Sequence, residues 1–252
     1  MSRHVTFMTI DEAEHYTPEE RKAIVDAYPA HEREARAMGI PVLGSGRIFP
    51  IPEEDIACDP IPIPEWWPRL GAMDFGWDHP FAAVAIGWDR EADIVYVTKA
   101  YRKREQPPLA HVTALKPWGK DLPWMWPRDG RNETLAGAGV SLALQYKSHG
   151  LRMHIEHAQF PDKSVSVEAG LMQMYDRMQT GRFKVFRHLG EWFEEFRLYH
   201  REDGLVVKER DDLMSATRYG VMMLRYARIL KIDEIRRAGN MAVPEVSPLE
   251  GF

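Results

Sequence analysis

Three apolar stretches in quick succession dominate the hydrophobic pattern of this chain. Leu70–Phe75 is short and mostly apolar, Phe81–Trp88 is almost continuously apolar, and Ile94–Tyr101 is rich in β-branched and aromatic residues. Gly76, Pro80 and the polar segment 89–93 separate them, so the pattern predicts three consecutive strands joined by turns. Downstream the pattern alternates. Pro107-Pro108 opens a short helix to about Lys116, and 123–130 reads as a fourth strand ended by Asp129-Gly130. A helix over 133–148 and a fifth strand over 151–160 follow. The stretch 165–179 is a helix with Leu171, Met174, Tyr175 and Met178 on one face. A short strand at 183–186 precedes a helix over 189–200, with Trp192, Phe193, Phe196 and Tyr199 on one face. A small turn-and-strand element at 204–208 leads to a last long helix from Asp211 to about Lys231. The predicted class is α/β: an antiparallel three-strand meander feeding βα units, giving a mixed sheet flanked by helices.

The first forty residues are polar and read as a small helical extension. Thr17-Pro18-Glu19-Glu20 is a helix start, with Thr17 as cap, Pro18 at the first helical position and Glu20 closing a capping box. This helix is expected to run to about Ala27, and a second to span His31–Met38. The proline-dense stretch 40–68 is expected to be an extended linker rather than a packed element. The chain then divides into 1–59 (helices plus linker), 60–232 (main domain) and 233–252 (a loose polar tail).

Composition narrows the function classes. With 252 residues and ordinary apolar content a substantial core is possible. No run of eighteen apolar residues exists, and the start Met-Ser-Arg-His-Val-Thr-Phe lacks the apolar centre of a signal peptide. Cys58 is the only cysteine, which excludes a disulfide framework and cysteine-based zinc sites and fits a reducing, cytoplasmic setting. A net charge of −5 argues against coating nucleic acid by bulk charge, yet leaves room for local basic patches.

The candidate chemistry lies in acids. Asp74 sits within the first strand of the meander. A carboxylate in a core strand is costly unless offset, by a divalent cation or by facing solvent on an edge. Asp129 ends the fourth strand, either as an ordinary turn residue or as a functional acid at a strand's C-terminal end. Asp211 and Asp212 open the final helix: Asp211 suits an N-cap, leaving Asp212 freer to bind a metal. If these carboxylates converge, a pair of Mg2+ or Mn2+ ions removes their repulsion, and all-oxygen ligation suits such hard cations better than zinc. Asp78 and His79 are candidates for an outer shell or for a simple turn. Glu156, with His154 and His157, is a further acid near the metals or an exposed residue. Basic residues cluster at Arg102, Lys103 and Arg104, at Arg182, Lys184 and Arg187, and along the last helix at Arg218, Arg225, Arg228 and Lys231. The first two sets are candidate phosphate contacts, or a solvated face balanced by Glu194, Glu195, Glu202 and Asp203; the helix set is explained by the dipole.

These segments carry a resemblance. Asp74-Phe-Gly-Trp-Asp-His-Pro, Pro127-Arg-Asp-Gly, Met178-Gln-Thr-Gly-Arg-Phe-Lys-Val-Phe, Trp192-Phe-Glu-Glu-Phe-Arg-Leu-Tyr-His and Asp211-Asp-Leu-Met-Ser-Ala-Thr-Arg-Tyr resemble the C-terminal nuclease domain of the large terminase subunit of tailed bacteriophages, over roughly 60–232. Residues 31–50 resemble the stretch joining that family's motor domain to its nuclease. The resemblance implies an RNase H-like fold and a metal-dependent endonuclease that cuts concatemeric double-stranded DNA for packaging, using two Mg2+ or Mn2+ ions. It maps the acid set onto Asp74, Asp129 and the Asp211-Asp212 pair without settling which of the pair holds the metal; we favour Asp212. It implies a portal protein, a small terminase subunit and a packaging ATPase domain as partners, and work at the capsid portal in the host cytoplasm. The chain lacks Gly-x-x-x-x-Gly-Lys-[Ser/Thr], and Gly44-Ser-Gly-Arg lacks the lysine, so no ATP hydrolysis is expected of it. Two other readings are a non-cleaving docking module for the portal or small subunit, and a resolvase- or transposase-type nuclease. The acid set argues against the first and the motor-linker segment against the second.

Overall fold

The computed structural model describes residues 9–10, 13, 15–27, 46–132, 140–202 and 205–230. A seven-stranded mixed sheet forms its centre. The expected meander is there: β2 (Arg69–Asp74), β3 (Phe81–Asp89) and β4 (Ile94–Lys103) pair antiparallel in sequence order. The remaining strands add in parallel on either side. On one side β7 (Phe183–Phe186) pairs with β4, and β1 (Ala57–Cys58) pairs with β7. On the other, β5 (Pro123–Met125) pairs with β2, and β6 (Arg152–Met153) with β5.

The near-continuous apolar run of β3 follows from its central place. Side chains alternate across a strand, so a strand covered on both faces needs apolar residues throughout. Ala82, Val84 and Ile86 belong to one buried cluster, and Phe81 and Ala83 to the other. The first face is covered by α5 (Val167–Gln179), α6 (Gly190–Leu198) and α7 (Asp212–Met222). The second is covered by α3 (Pro108–Leu115) and α4 (Leu142–Ser148). The aromatic stripe of α6 is core, as its period suggested: Trp192 and Phe196 are fully buried.

At the N-terminal side, α1 (Pro18–Ala27) begins with the expected capping box. The Glu20 N–H donates to the Thr17 hydroxyl at 3.2 Å, and the Thr17 N–H donates back to Glu20 at 2.9 Å. The proline-dense stretch departs from the expected open linker. Phe49, Ile51 and Ile56 are buried in the main core, a single turn α2 (Glu53–Ile56) follows Pro52, and β1 extends the sheet. Prolines hold the backbone extended between these apolar anchors, and burying the anchors is favourable enough to fasten the segment.

Other boundaries shift as well. The fifth strand is only two residues long, because the chain beyond Met153 turns away and Trp126 reaches its backbone, donating to the His154 carbonyl at 2.8 Å. The last helix stops at Met222, where Arg225 donates to the Met222 carbonyl; a 3-10 turn at Leu224–Tyr226 follows, and Arg228 bridges Arg69. The expected element at 204–208 is a two-stranded ribbon of β8 (Arg201–Glu202) and β9 (Leu205–Val206). The expected helix at 31–38, the first part of that at 133–148, Lys231 and the tail 233–252 lie outside the described residues.

Candidate active site

Strand register sets the address of the acids. Asp74 is the last residue of β2 and lies opposite Ala82, which in turn lies opposite Arg102 on β4. On the other flank Gly71 and Ala72 pair in parallel with Trp124 and Met125, so the chain leaving β5 passes beside the end of β2. It forms a 3-10 turn, Arg128–Arg131, that holds Asp129. Gly130 permits this approach: a Cβ there would stand 2.5 Å from the Phe75 ring and 2.6 Å from that of Trp126. The third contribution comes from α7, which packs across β2 and β3 and starts with Asp211 and Asp212 at the same end of the sheet.

The four acids feel one another. Burial pushes the Asp74 carboxyl well above its ordinary range, and Asp129, Asp211 and Asp212 push it further; Arg218 opposes them. Asp212 is raised to about 6, by burial and then by Asp211, against Arg102 and His79. Burial also raises Asp129 and Asp211, against the Gly130 N–H in the first case and, in the second, Ser215, Arg218 and Lys208. Among the described residues no three His, Cys, Asp or Glu side chains stand close enough to hold an ion together. The donor set nevertheless suits a hard divalent cation: four carboxylates, no cysteine or histidine ligand among them, and a mutual repulsion that such a cation relieves.

The helix start differs from the expected one. Asp211 occupies the N-cap position of α7, yet its side chain makes no cap bond and instead accepts from the Ser215 hydroxyl at 3.5 Å. The cap comes from α6. Glu195, fully buried, accepts from the Leu213 N–H at 2.6 Å and the Met214 N–H at 3.3 Å, and its other oxygen accepts from Arg102 at 2.7 Å. Burial raises the Glu195 carboxyl to about 7 against the pull of Arg102. Glu195 is therefore not part of a solvated face. Nor does Arg218 answer to the helix dipole: it sits mid-helix, 4% exposed, over the Tyr219 ring at 4.4 Å, with its charge acting on Asp74. The period of α7 was the available signal, since Asp211, Ser215 and Arg218 fall three or four residues apart on one face.

The basic sets separate. Lys103 and Arg104 line an open groove of about 580 Å3 that also holds His79, Arg210 and Asp212. Arg102 lines it too, but is locked to Glu195 and Glu194. Arg182 and Lys184 lie at the opposite end of the sheet. The Arg182 carbonyl pairs with Val95, seven residues from Arg102 along β4, roughly 23 Å at the usual strand rise. Arg182 is paired with Asp93 and Asp176, Lys184 donates to the Asp55 carbonyl, and Arg187 pairs with Asp59. These residues tie strand ends together, far along the sheet from the acids. Glu156 accepts from Gln159 at 2.6 Å.

Residues 71–224 match the family model described as the terminase RNaseH-like domain, and residues 1–56 match that of the N-terminal part of T4-like large terminase subunits. The large terminase subunit of Salmonella phage P22 is 46% identical over 244 residues, covering 96% of this chain and 48% of that protein. That of Enterobacteria phage LP7 is 48% identical over 223 residues, covering 88% and 47%. This chain thus spans about half the length of these curated relatives. Among solved structures, the P22 large terminase nuclease domain superposes with a TM-score of 0.70 at 45% identity, covering 77% of this chain and 98% of that one. The large terminase of a thermophilic bacteriophage, solved with ADP, shares the fold at 16% identity, with a TM-score of 0.57 over 87% of this chain and 55% of its own. The chain belongs to the terminase RNaseH-like domain family, and its mixed sheet with flanking helices is that RNase H-like fold.

Proposed function

We propose that this chain is the DNA-cutting part of a large terminase subunit, a divalent-cation-dependent endonuclease that severs concatemeric double-stranded DNA during genome packaging. The observation that carries the reading is the gathering of Asp74, Asp129, Asp211 and Asp212 at one end of the sheet, where their charges raise the Asp74 carboxyl. Binding alone has no use for carboxylates held in mutual repulsion. The likeness to a protein described as the P22 large terminase nuclease domain supports the same chemistry. In this reading the four acids hold two Mg2+ or Mn2+ ions, with Asp212 the more direct ligand of the helix pair. When bound, such ions supply a hydroxide at neutral pH and steady the leaving oxygen of a phosphodiester.

The chain's own residues do the rest. Lys103 and Arg104, with Arg210 where it is not engaged by Glu194, offer charge to the phosphate backbone along the groove beside Asp212, without reading bases. Arg218 offsets part of the negative charge before a cation arrives. Double-stranded DNA is the substrate; a portal protein, a small terminase subunit and a packaging ATPase domain are the partners, and the host cytoplasm is the place of action. No described helix is long and apolar enough to cross a membrane. The test is Asp74→Asn. Wild type should nick and linearise plasmid with Mn2+ or Mg2+ and stop with chelator, while the variant should be inactive with an unchanged circular dichroism spectrum. Native-rate cleavage by the variant would sink the assignment.

A further inference from the structure

The first turn of α7 carries Asp211 and Asp212, but its capping carboxylate belongs to a different helix. Three observations bear on why. Glu195 is fully buried, and one of its oxygens takes the Leu213 and Met214 N–H groups at 2.6 and 3.3 Å. Its other oxygen takes Arg102 at 2.7 Å. Arg102 stands in the same cross-strand row as Asp74, one strand beyond Ala82, and is steadied further by Glu194 at 3.4 Å.

One buried carboxylate thus bridges the end of the sheet that holds Asp74 to the helix start that holds Asp212. We infer that Glu195 is a positioning residue for the acid cluster, and that Arg102 serves as its counter-ion rather than as a DNA contact. The inference rests on the nuclease reading above and deepens it.

The chemistry follows from the bonds. An N-cap side chain from Asp211 would turn that carboxylate onto its own helix amides and away from the cluster. With Glu195 supplying the cap, both acids of the pair keep their oxygens for an incoming cation. A buried charge on Glu195 is tolerated because Arg102 and two backbone amides satisfy it, and charge-assisted bonds of this kind fix orientation as well as position. Outer partners that orient metal ligands commonly alter metal affinity about ten- to hundredfold when removed.

The experiment compares wild type, Glu195→Gln, Arg102→Gln and Arg102→Lys in three measurements. The first is Mn2+ affinity by isothermal titration calorimetry. The second is binding of a fluorescent DNA duplex in chelator. The third is amide hydrogen exchange at Leu213 and Met214. Glu195→Gln and Arg102→Gln should each weaken Mn2+ binding about ten- to hundredfold and speed exchange at both amides. Their DNA affinity in chelator should match wild type, and Arg102→Lys should recover part of the Mn2+ affinity. Cleavage by the two Gln variants should return as Mn2+ is raised.

Unchanged Mn2+ affinity in either Gln variant overturns the inference, as does a loss of DNA binding in Arg102→Gln without a change in Mn2+ binding. If Glu195→Gln does not fold, Arg102→Gln decides alone, since Arg102 lies at the surface end of the pair. A wild type that neither binds Mn2+ nor cuts DNA defeats the nuclease reading instead. In that event the exchange rates at Leu213 and Met214 still show whether Glu195 holds the helix start.

Discussion

The indole N–H of Trp192 on α6 donates to the Thr217 hydroxyl on α7 at 2.9 Å, and that hydroxyl donates in turn to the Leu213 carbonyl at 2.6 Å. Both side chains are fully buried. This bond fastens the same pair of helices that Glu195 joins one turn away. Thr217→Val keeps the shape and removes the acceptor, leaving a buried indole N–H unpaired. The expected loss is about 1–3 kcal/mol in a urea unfolding experiment. A change below about 0.5 kcal/mol would show that Trp192 finds another partner.

Stability without metal should rise as pH falls from 8 to 6. Glu195 and Asp212 are raised to about 7 and about 6, and Asp74 is raised too. The native state therefore takes up protons in a range where the unfolded chain stays ionised, so protonation favours folding and the gain is lost as pH climbs through these values. That gain continues down to the ordinary carboxylate range, where the unfolded chain is protonated too, but it is partly opposed below about pH 6.5. There His111, stacked on Phe81 at 4.0 Å and lowered to about 4 by burial, costs stability as the unfolded chain's histidine charges first. Melting temperatures in chelator should fall from pH 6 to pH 8, and Mn2+ at pH 8 should restore the loss. A flat profile from pH 6 to pH 8 in chelator would contradict the cluster's electrostatics.

Gly220 sits where α7 presses on the sheet. A Cβ there would stand 2.5 Å from Ile86 Cδ1 and 3.2 Å from the Ala72 Cβ. In an exposed helix Gly→Ala gains about 1 kcal/mol. Here overpacking, at about 1–3 kcal/mol, opposes it and should win. Gly220→Ala is therefore expected to lower the melting temperature and, by lifting α7, to weaken Mn2+ binding. A more stable variant would mean that the Ile86 side chain yields freely.

Arg182 is held by Asp93 and Asp176 at the end of the sheet away from the acids, which predicts a structural role. Arg182→Gln should cost under about 1 kcal/mol, since its pairs with Asp93 and Asp176 are partly solvated. Its DNA affinity in chelator should equal that of wild type. The double substitution Lys103→Gln with Arg104→Gln should weaken duplex binding and flatten its salt dependence. Equal losses from both changes would place DNA across the far end of the sheet as well.

Local pattern was enough for much of this molecule. Turn chemistry at Gly76, Pro80 and 89–93 separates the meander strands, the capping box of Thr17 and Glu20 starts α1, and the apolar periods of 167–179 and 190–198 locate α5 and α6. These features depend on near neighbours, and near neighbours are what a sequence displays. The acids themselves were visible at 74, 129, 211 and 212 because carboxylates at strand ends and helix starts stand out against apolar surroundings.

What the order of residues determined by itself is a mixed sheet with a set of acids at element ends. Only the tertiary structure decided which charges face them. Glu195 and Glu194 are adjacent and chemically alike, yet one is fully buried against the start of α7 and the other is half-buried. Arg102 and Arg104 share a strand end, but Arg102 is bound to Glu195 across 93 residues of chain. Phe49, Ile51 and Ile56 join the main core from a proline-dense stretch that local rules make a linker. In each case the partner is distant in the chain. The free energy of burying a charge or an apolar side chain is set by what the fold brings beside it, not by the residues on either side.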